Sequence, residues 1–352
     1  ARVSNRTGST REMKISVPAI LEGLQPQPRF LAIWLALLVL IVVSAIFVPR
    51  SLMATSILAI IPLAAFLCIA SMGEALVLMA RGIDLSIPAV ITLSSSLILG
   101  VSGGQDAALV QAIVVALAVS TGVGLINGVL VSNFRLNPLV VTLAVGTIMM
   151  GAAIWYREGI AQEARVPPIL ADWGETRFLS INFSVWVAMA LVLASTLLLR
   201  LTLYGRRFIA VGANPVAAWI SGIGVNRYRV AAYAAAGLLY GIAGILLAAF
   251  IRNPTLDVGA AYLLAPIAAA VLGGTAISGG VGSMIAVAGA ALFLTQLGQI
   301  LKMMGLTTAI QFMVYGGAIA VGMALAGVRF SDLRDTWGRR LRRDAAPGTA
   351  EP

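Results

Sequence analysis

The chain of 352 residues contains no histidine and a single cysteine, Cys68. The first absence removes the commonest metal ligand and the side chain that most readily shuttles protons near neutral pH. The second rules out a disulfide within the chain. Charge is also scarce, at 11% of residues, against roughly a quarter in an ordinary soluble domain. Lysine is nearly missing, with only Lys14 and Lys302. No Gly-Lys dipeptide occurs, which excludes the P-loop pattern for cradling nucleotide phosphates. No Ser/His/Asp set, Cys/His pair or paired carboxylates of recognisable spacing appear. An enzyme, and ATP hydrolysis by this chain, are therefore not expected, and neither is a metal or cofactor of its own.

What is present is apolar. Hydrophobic residues make up 60% of the chain, more than a soluble protein of this size can hide from water. A bilayer removes the difficulty by solvating the outside of the helices. The apolar residues come in blocks of spanning length, about 20 residues each. The blocks predict an all-α, polytopic membrane protein with about ten transmembrane helices. They fall near 30–48, 55–80, 86–102, 108–132, 138–156, 183–201, 229–251, 263–277, 283–301 and 308–327.

The net charge of +10 gathers at the two ends. Arg2, Arg6, Arg11, Lys14 and Arg29 precede the first block; Arg329, Arg334, Arg339, Arg340, Arg342 and Arg343 follow the last. Such an excess marks the cytoplasmic side, so tails 1–29 and 328–352 are both placed there, flanking a transmembrane domain over 30–327. Interaction with anionic membrane lipid accounts for the C-terminal cluster; no recognition fold accompanies the charge, so nucleic acid is not expected. Residues before the first block are polar and basic, which predicts a retained span rather than a cleaved signal. Alternation then puts Arg81, Arg135, Arg200, Arg206, Arg207 and Arg227 inside and the long loop 157–182 outside. Trp155, Tyr156, Trp173 and Trp186 sit where an interfacial aromatic belt lies. A faint echo between 127–143 and 297–314, five spans apart, is the offset expected of an inverted repeat of two five-helix halves.

Three stretches stand out chemically. In EALVLMARGIDLSIPAV (74–90), Glu74, Arg81 and Asp84 interrupt apolar sequence, and Gly82 and Pro88 break helix. A charge at membrane depth costs several kcal/mol and faces protein or a water-filled cavity. Two readings stand: an unwound segment lining a substrate path with Asp84 and Ser86, or a plain cytoplasmic turn. Glu74 and Arg81, seven apart, have the spacing of an ion pair along one helical face. In the inside loop 203–228, residues 215–222 predict a short helix, with Asn214 as N-cap, Pro215 in the first turn and Gly222 near the end. Presenting Val216, Ala217, Trp219 and Ile220, it suits either docking to a soluble partner or resting on headgroups. In LGGTAISGGVGSM (272–284), five glycines are better explained by close packing or a broken helix than by phosphate binding.

Four segments, in order, resemble the permeases of ribose/xylose/galactose-type bacterial ABC importers: GIDLSIPAVITLSS (82–95), NGVLVSNFRLNPLVVTLAVGTI (127–148), AVGANPVAAWISGIGVNRYRV (210–230) and LLAPIAAAVLGGTAISGGVGSMIAVAGA (263–290). The resemblance implies an importer subunit of the bacterial inner membrane. Its partners would be a second permease (the same chain or a different one), cytoplasmic ABC ATPase subunits that hold the Mg-ATP, and a periplasmic sugar-binding protein. It implies that Asp84 and Ser86 belong to a translocation pathway and that Gly273, Gly274, Gly279 and Gly280 shape the core of the second half; with Glu74, Arg81, Asn127 and Thr142 these are the candidate pathway residues. It implies ATPase coupling through Gly212, Asn214, Ala217, Ala218, Ser221 and Gly222, and makes 157–182 a periplasmic loop. Three positions depart from that family's pattern: Arg81 stands where glycine is more frequent, Pro88 replaces a glycine, and Val281 replaces a basic residue. The rival reading is an ion-coupled secondary transporter or channel for a small solute, for which Glu74, Arg81 and Asp84 are the only intramembrane ionisable candidates.

Overall fold

The structure, a computed structural model, describes residues 28–161 and 163–327. Both basic tails, apart from Pro28 and Arg29, lie outside the described residues, and so do the expectations attached to them. Among the described residues, the chain forms thirteen α-helices and one two-stranded ribbon. Seven of the helices are long and apolar enough to cross a membrane.

The first five helices are α1 (Pro28–Phe47), α2 (Ala54–Met79), α3 (Ile87–Ser102), α4 (Leu109–Ser132) and α5 (Pro138–Glu158). After them come α6 (Pro168–Glu175), the ribbon β1 (Arg177–Phe178) and β2 (Ile181–Asn182), and α7 (Phe183–Leu201). The segment α8 (Leu203–Ala213) and α9 (Pro215–Ile220) then leads to α10 (Val225–Ile251). The last three are α11 (Ala265–Leu272), α12 (Met284–Met303) and α13 (Thr308–Gly327).

Capping residues set many of these boundaries. The side-chain oxygens of Asn137, Asn182, Thr202, Asn214 and Ser283 each accept a backbone N–H in the first turn of α5, α7, α8, α9 and α12.

Three expectations change in detail. Residues 203–213 are helical, because Thr202 caps the segment and its apolar side packs on α7. The block 263–277 is helical only to Leu272; Gly274, at φ 80°, turns the chain out of the helix. The loop 157–182 carries α6 and the ribbon, whose turn residues Leu179 and Ser180 both have positive φ. The Arg252–Glu175 ion pair of 2.6 Å and the Val166–Arg252 backbone bond tie this loop to the end of α10.

The lengths repeat. Helices of 20, 26, 16, 24 and 21 residues (α1–α5) are matched by 19, 27, 8, 20 and 20 (α7, α10, α11, α12, α13). Contacts cross over in the same sense: α2 packs on α11 and α12, α10 packs on α3 and α4, and α2 meets α10 at the centre. The third pair of lengths is the exception, 16 residues against 8. Burial agrees, since 61% of the α2 window and 67% of the α10 window are buried, against 17% for α1.

The α4–α10 contact is made by glycine. Gly124 faces Gly237, while Gly128, four residues on, lies against Val230 and Tyr233, and Gly241 against Ser120. A Cβ on Gly124 would strike the Tyr233 carbonyl, and one on Gly237 the Ser120 carbonyl. In lipid, where apolar side chains gain little by leaving the solvent, backbone approach of this kind drives helix association.

Candidate functional site

The site starts where α2 stops. Ala80, Arg81 and Gly82 turn the chain out of the helix, with the Arg81 N–H donating to Leu78 O (2.9 Å) and the Gly82 N–H to Val77 O (2.9 Å). This is the Schellman pairing, and its left-handed position, normally glycine, is held by Arg81 at φ 66°. The chain then runs non-helical through residues 82–86 before α3 begins.

Non-helical backbone at membrane depth must find new partners, because each unpaired buried amide costs several kcal/mol. Side chains supply them here. The Asp84 N–H points to the Glu74 carboxylate (3.3 Å to Oε2), the Leu85 N–H donates to Thr142 Oγ1 (3.0 Å), and the Ser86 N–H to Asp84 Oδ1 (2.9 Å). Ser86 Oγ donates to Asp84 Oδ1 (2.6 Å) and accepts from Asn127 Nδ2 (3.0 Å). Tyr240 Oη donates to Glu74 Oε2 (3.3 Å), and Tyr233 Oη to Ile83 O (3.5 Å).

Glu74, Asp84, Ser86, Asn127 and Thr142 thus meet in one polar seam between α2, α3, α4, α5 and α10, each at most 1% exposed. Asp84 Oδ2 and Asn127 Oδ1 lack partners within it. The ion pair that spacing offered between Glu74 and Arg81 is not formed. Glu74 is engaged inside by Tyr240 and the Asp84 amide, while Arg81 turns the other way.

Arg81 reaches across 131 residues of sequence, donating from Nε to Gly212 O and from Nη2 to Ala213 O, both at 2.7 Å. At the same point the Gly280 N–H donates to Met79 O (2.9 Å). Gly279 (φ 89°) and Gly280 (φ 75°) lie so close that a Cβ on either would overlap Arg81 or Ala213. Gly212 is equally hemmed in, by Met79 O and Gly280. Three segments therefore share one junction: the end of α2, the end of α8, and the glycine loop after α11. Gly273 and Gly274 take the other end of that loop, Gly273 against Val287 of α12.

From the junction α9 projects outward. Asn214 Oδ1 accepts from the Val216 and Ala217 N–H groups (3.1 Å each), and Pro215 fills the first turn. Ser221 Oγ donates to Ala217 O (2.9 Å), and Gly222, at φ 77°, ends the helix. Ala218 is buried, whereas Val216, Trp219 and Ile220 are 66%, 71% and 73% exposed. A six-residue helix anchored at both ends and apolar on its free face has the form of a docking knob.

These features coincide with a match over residues 56–327 to the family described as "Branched-chain amino acid transport system / permease component". The chain belongs to this permease family. It is 32% identical to the ribose import permease protein RbsC of Bacillus subtilis (strain 168) over 328 residues, 90% of this chain and 96% of that one. It is 30% identical to RbsC of Escherichia coli (strain K12), covering 80% of this chain and 88% of the relative. Identity to the autoinducer 2 import system permease protein LsrC of Klebsiella pneumoniae is 32%, over 89% and 90%. No solved structure matches the chain.

Sequence reasoning on this permease singled out the seam's carboxylates and hydroxyls but missed Tyr233 and Tyr240. Seven apart on α10, both are nearly fully buried against the break. Two tyrosines at that spacing in an apolar helix were the available signal.

Proposed function

We propose that this permease is the membrane-spanning subunit of an ATP-driven importer of the bacterial inner membrane. It carries a small sugar or similar polar solute handed over by a periplasmic binding protein. It works beside a second permease subunit, the same chain or a related one, and has no ATPase site of its own. Cytoplasmic ABC ATPases bind Mg-ATP and engage α9, which places α8, α9 and both tails on the cytoplasmic side. The pairing of sugar-type relatives with the exposed, anchored knob supports this reading.

The single observation that carries the mechanism is the Arg81 junction. Movement of α9 is delivered through Gly212 and Ala213 to Arg81, and so to the break at 82–86. The seam holds residues 82–86 as a unit, so the push displaces α2 and α3 together. The path between two permeases then opens to one side at a time.

Isolation from the native host in mild detergent, followed by mass spectrometry of what copurifies, tests the reading. A tandem-domain ATPase, with or without a periplasmic binding protein, is the expected result. Reproducible recovery of the chain alone, with vesicle uptake that survives removal of ATP, overturns it in favour of an ion-coupled carrier centred on Glu74, Arg81 and Asp84.

A further inference from the structure

At the end of the bundle that carries α8 and α9, a cavity of about 440 Å³ opens between the ends of α2 and α4 and the starts of α5 and α10. Its size falls within the span of small-molecule sites, about 300–1,000 Å³. Arg81, Arg135 and Arg229 line it together with Ser132, Asn226 and Tyr233, and no carboxylate does. Arg81 and Arg229 lie within range of mutual repulsion. Among the described residues none of these three guanidiniums forms an ion pair with an acidic side chain. Two donors are also stranded: Arg229 Nε and Ser132 Oγ are buried without hydrogen-bond partners, and Ser132 is only 2% exposed. Arg135 is carried in left-handed backbone, φ 56°, in the short loop between α4 and α5.

Three like charges around one cavity repel, and buried donors left unpaired cost free energy. Both costs disappear when an oxyanion enters. Guanidinium forks, a hydroxyl and an amide are the donors that tetrahedral phosphate oxygens accept from. We infer that the cavity binds a phosphate-bearing anion. Its source is an anionic phospholipid headgroup or a free phosphate. Basic pockets between helices at the cytoplasmic headgroup level recruit such lipids, and the orientation proposed above puts the cavity there. The inference is independent of which solute the permease carries.

The test uses the complete transporter purified from its host. Short-chain phosphatidylglycerol, phosphatidylcholine and inorganic phosphate are titrated by calorimetry. Wild type is compared with Arg135→Gln/Arg229→Gln, with Arg229→Lys as a charge-retaining variant and with Arg207→Gln as a charge control outside the cavity. Phosphatidylglycerol is expected to bind wild type about thirtyfold more tightly than the double variant, at about 1 kcal/mol per arginine. Arg229→Lys should keep most of the affinity, and Arg207→Gln all of it. Inorganic phosphate that competes with the same dependence on Arg135 and Arg229 assigns the source to free phosphate; phosphatidylglycerol binding alone assigns it to the headgroup. Equal binding of both probes by wild type and the double variant overturns the inference. So does binding of neither probe by wild type, or an equal loss in Arg207→Gln.

Discussion

Replacing Arg81 separates coupling from stability. Its two hydrogen bonds, 2.7 Å each to Gly212 O and Ala213 O, are charge-assisted but partly open to water. About 1 kcal/mol apiece is a fair allowance, or about 2 kcal/mol together. Against this stands the left-handed backbone at φ 66°, which costs a non-glycine residue about 1 kcal/mol. Arg81→Ala loses the bonds and keeps the strain, so folding stability falls by about 2 kcal/mol. Arg81→Gly loses the bonds but relieves the strain, so stability falls by about 1 kcal/mol. Coupling behaves differently. If the junction closes in one transport state and opens in the other, the strain is common to both states and cancels. Each variant then shifts the balance between states by about thirtyfold, the equivalent of 2 kcal/mol. In proteoliposomes containing the partner ATPase, solute moved per ATP hydrolysed should fall about equally in both, by tenfold or more. Thermal unfolding should rank wild type above Arg81→Gly above Arg81→Ala. A Gly variant that transports with full coupling would show that the junction only holds the fold together, and the mechanical reading would be lost.

Four further outcomes are expected. Trp219→Ser removes the largest exposed apolar side chain of α9 and should weaken ATPase binding by about thirtyfold, as truncation of an interface anchor does; pull-down with the ATPase measures it, with membrane insertion unchanged. Gly279→Ala meets both a φ of 89° and the side chain of Arg81, so ATP-driven uptake should drop while the chain still reaches the membrane, as uptake and immunoblot together show. Gly124→Leu forces α4 off the Tyr233 carbonyl and should lower the unfolding midpoint in detergent by the equivalent of about 3 kcal/mol or more, as overpacking at a backbone contact does; a change under about 0.5 kcal/mol contradicts the packing described. Ser86→Ala removes the link between Asp84 and Asn127, and the same assay should register about 1–3 kcal/mol for the stranded buried groups.

The apolar blocks locate the helices well because spanning length and hydropathy are local properties. The helix α9 was equally visible, since Asn214, Pro215 and Gly222 carry its start and stop signals within nine residues of one another. The same holds for the polar residues of the break, conspicuous against an apolar background. What they do with one another was hidden. That Leu85 N–H needs Thr142, or that Arg81 bonds Gly212 instead of facing Glu74, follows from contacts 57 and 131 residues apart. Nothing in the local pattern encodes them. The glycines of 272–284 announced close packing without saying against what; Met79, Ala213 and Val287 are the answer. The helix α8 reads as loop in the sequence, because Arg206 and Arg207 have the look of a topology marker and the cap at Thr202 is a single residue beside them.

The brevity of α11 bears on how the chain is made. Eight residues rise about 12 Å, well under half of a hydrocarbon core about 30 Å thick. Such a segment has no stable transmembrane position of its own as it leaves the ribosome. During synthesis α10 and α12 must enter the bilayer first, and α11 is drawn between α2, α12 and α13 afterwards. Biogenesis of the second half is therefore ordered by geometry, and a released chain truncated before Met284 should leave residues 265–283 unprotected from membrane-impermeant labels.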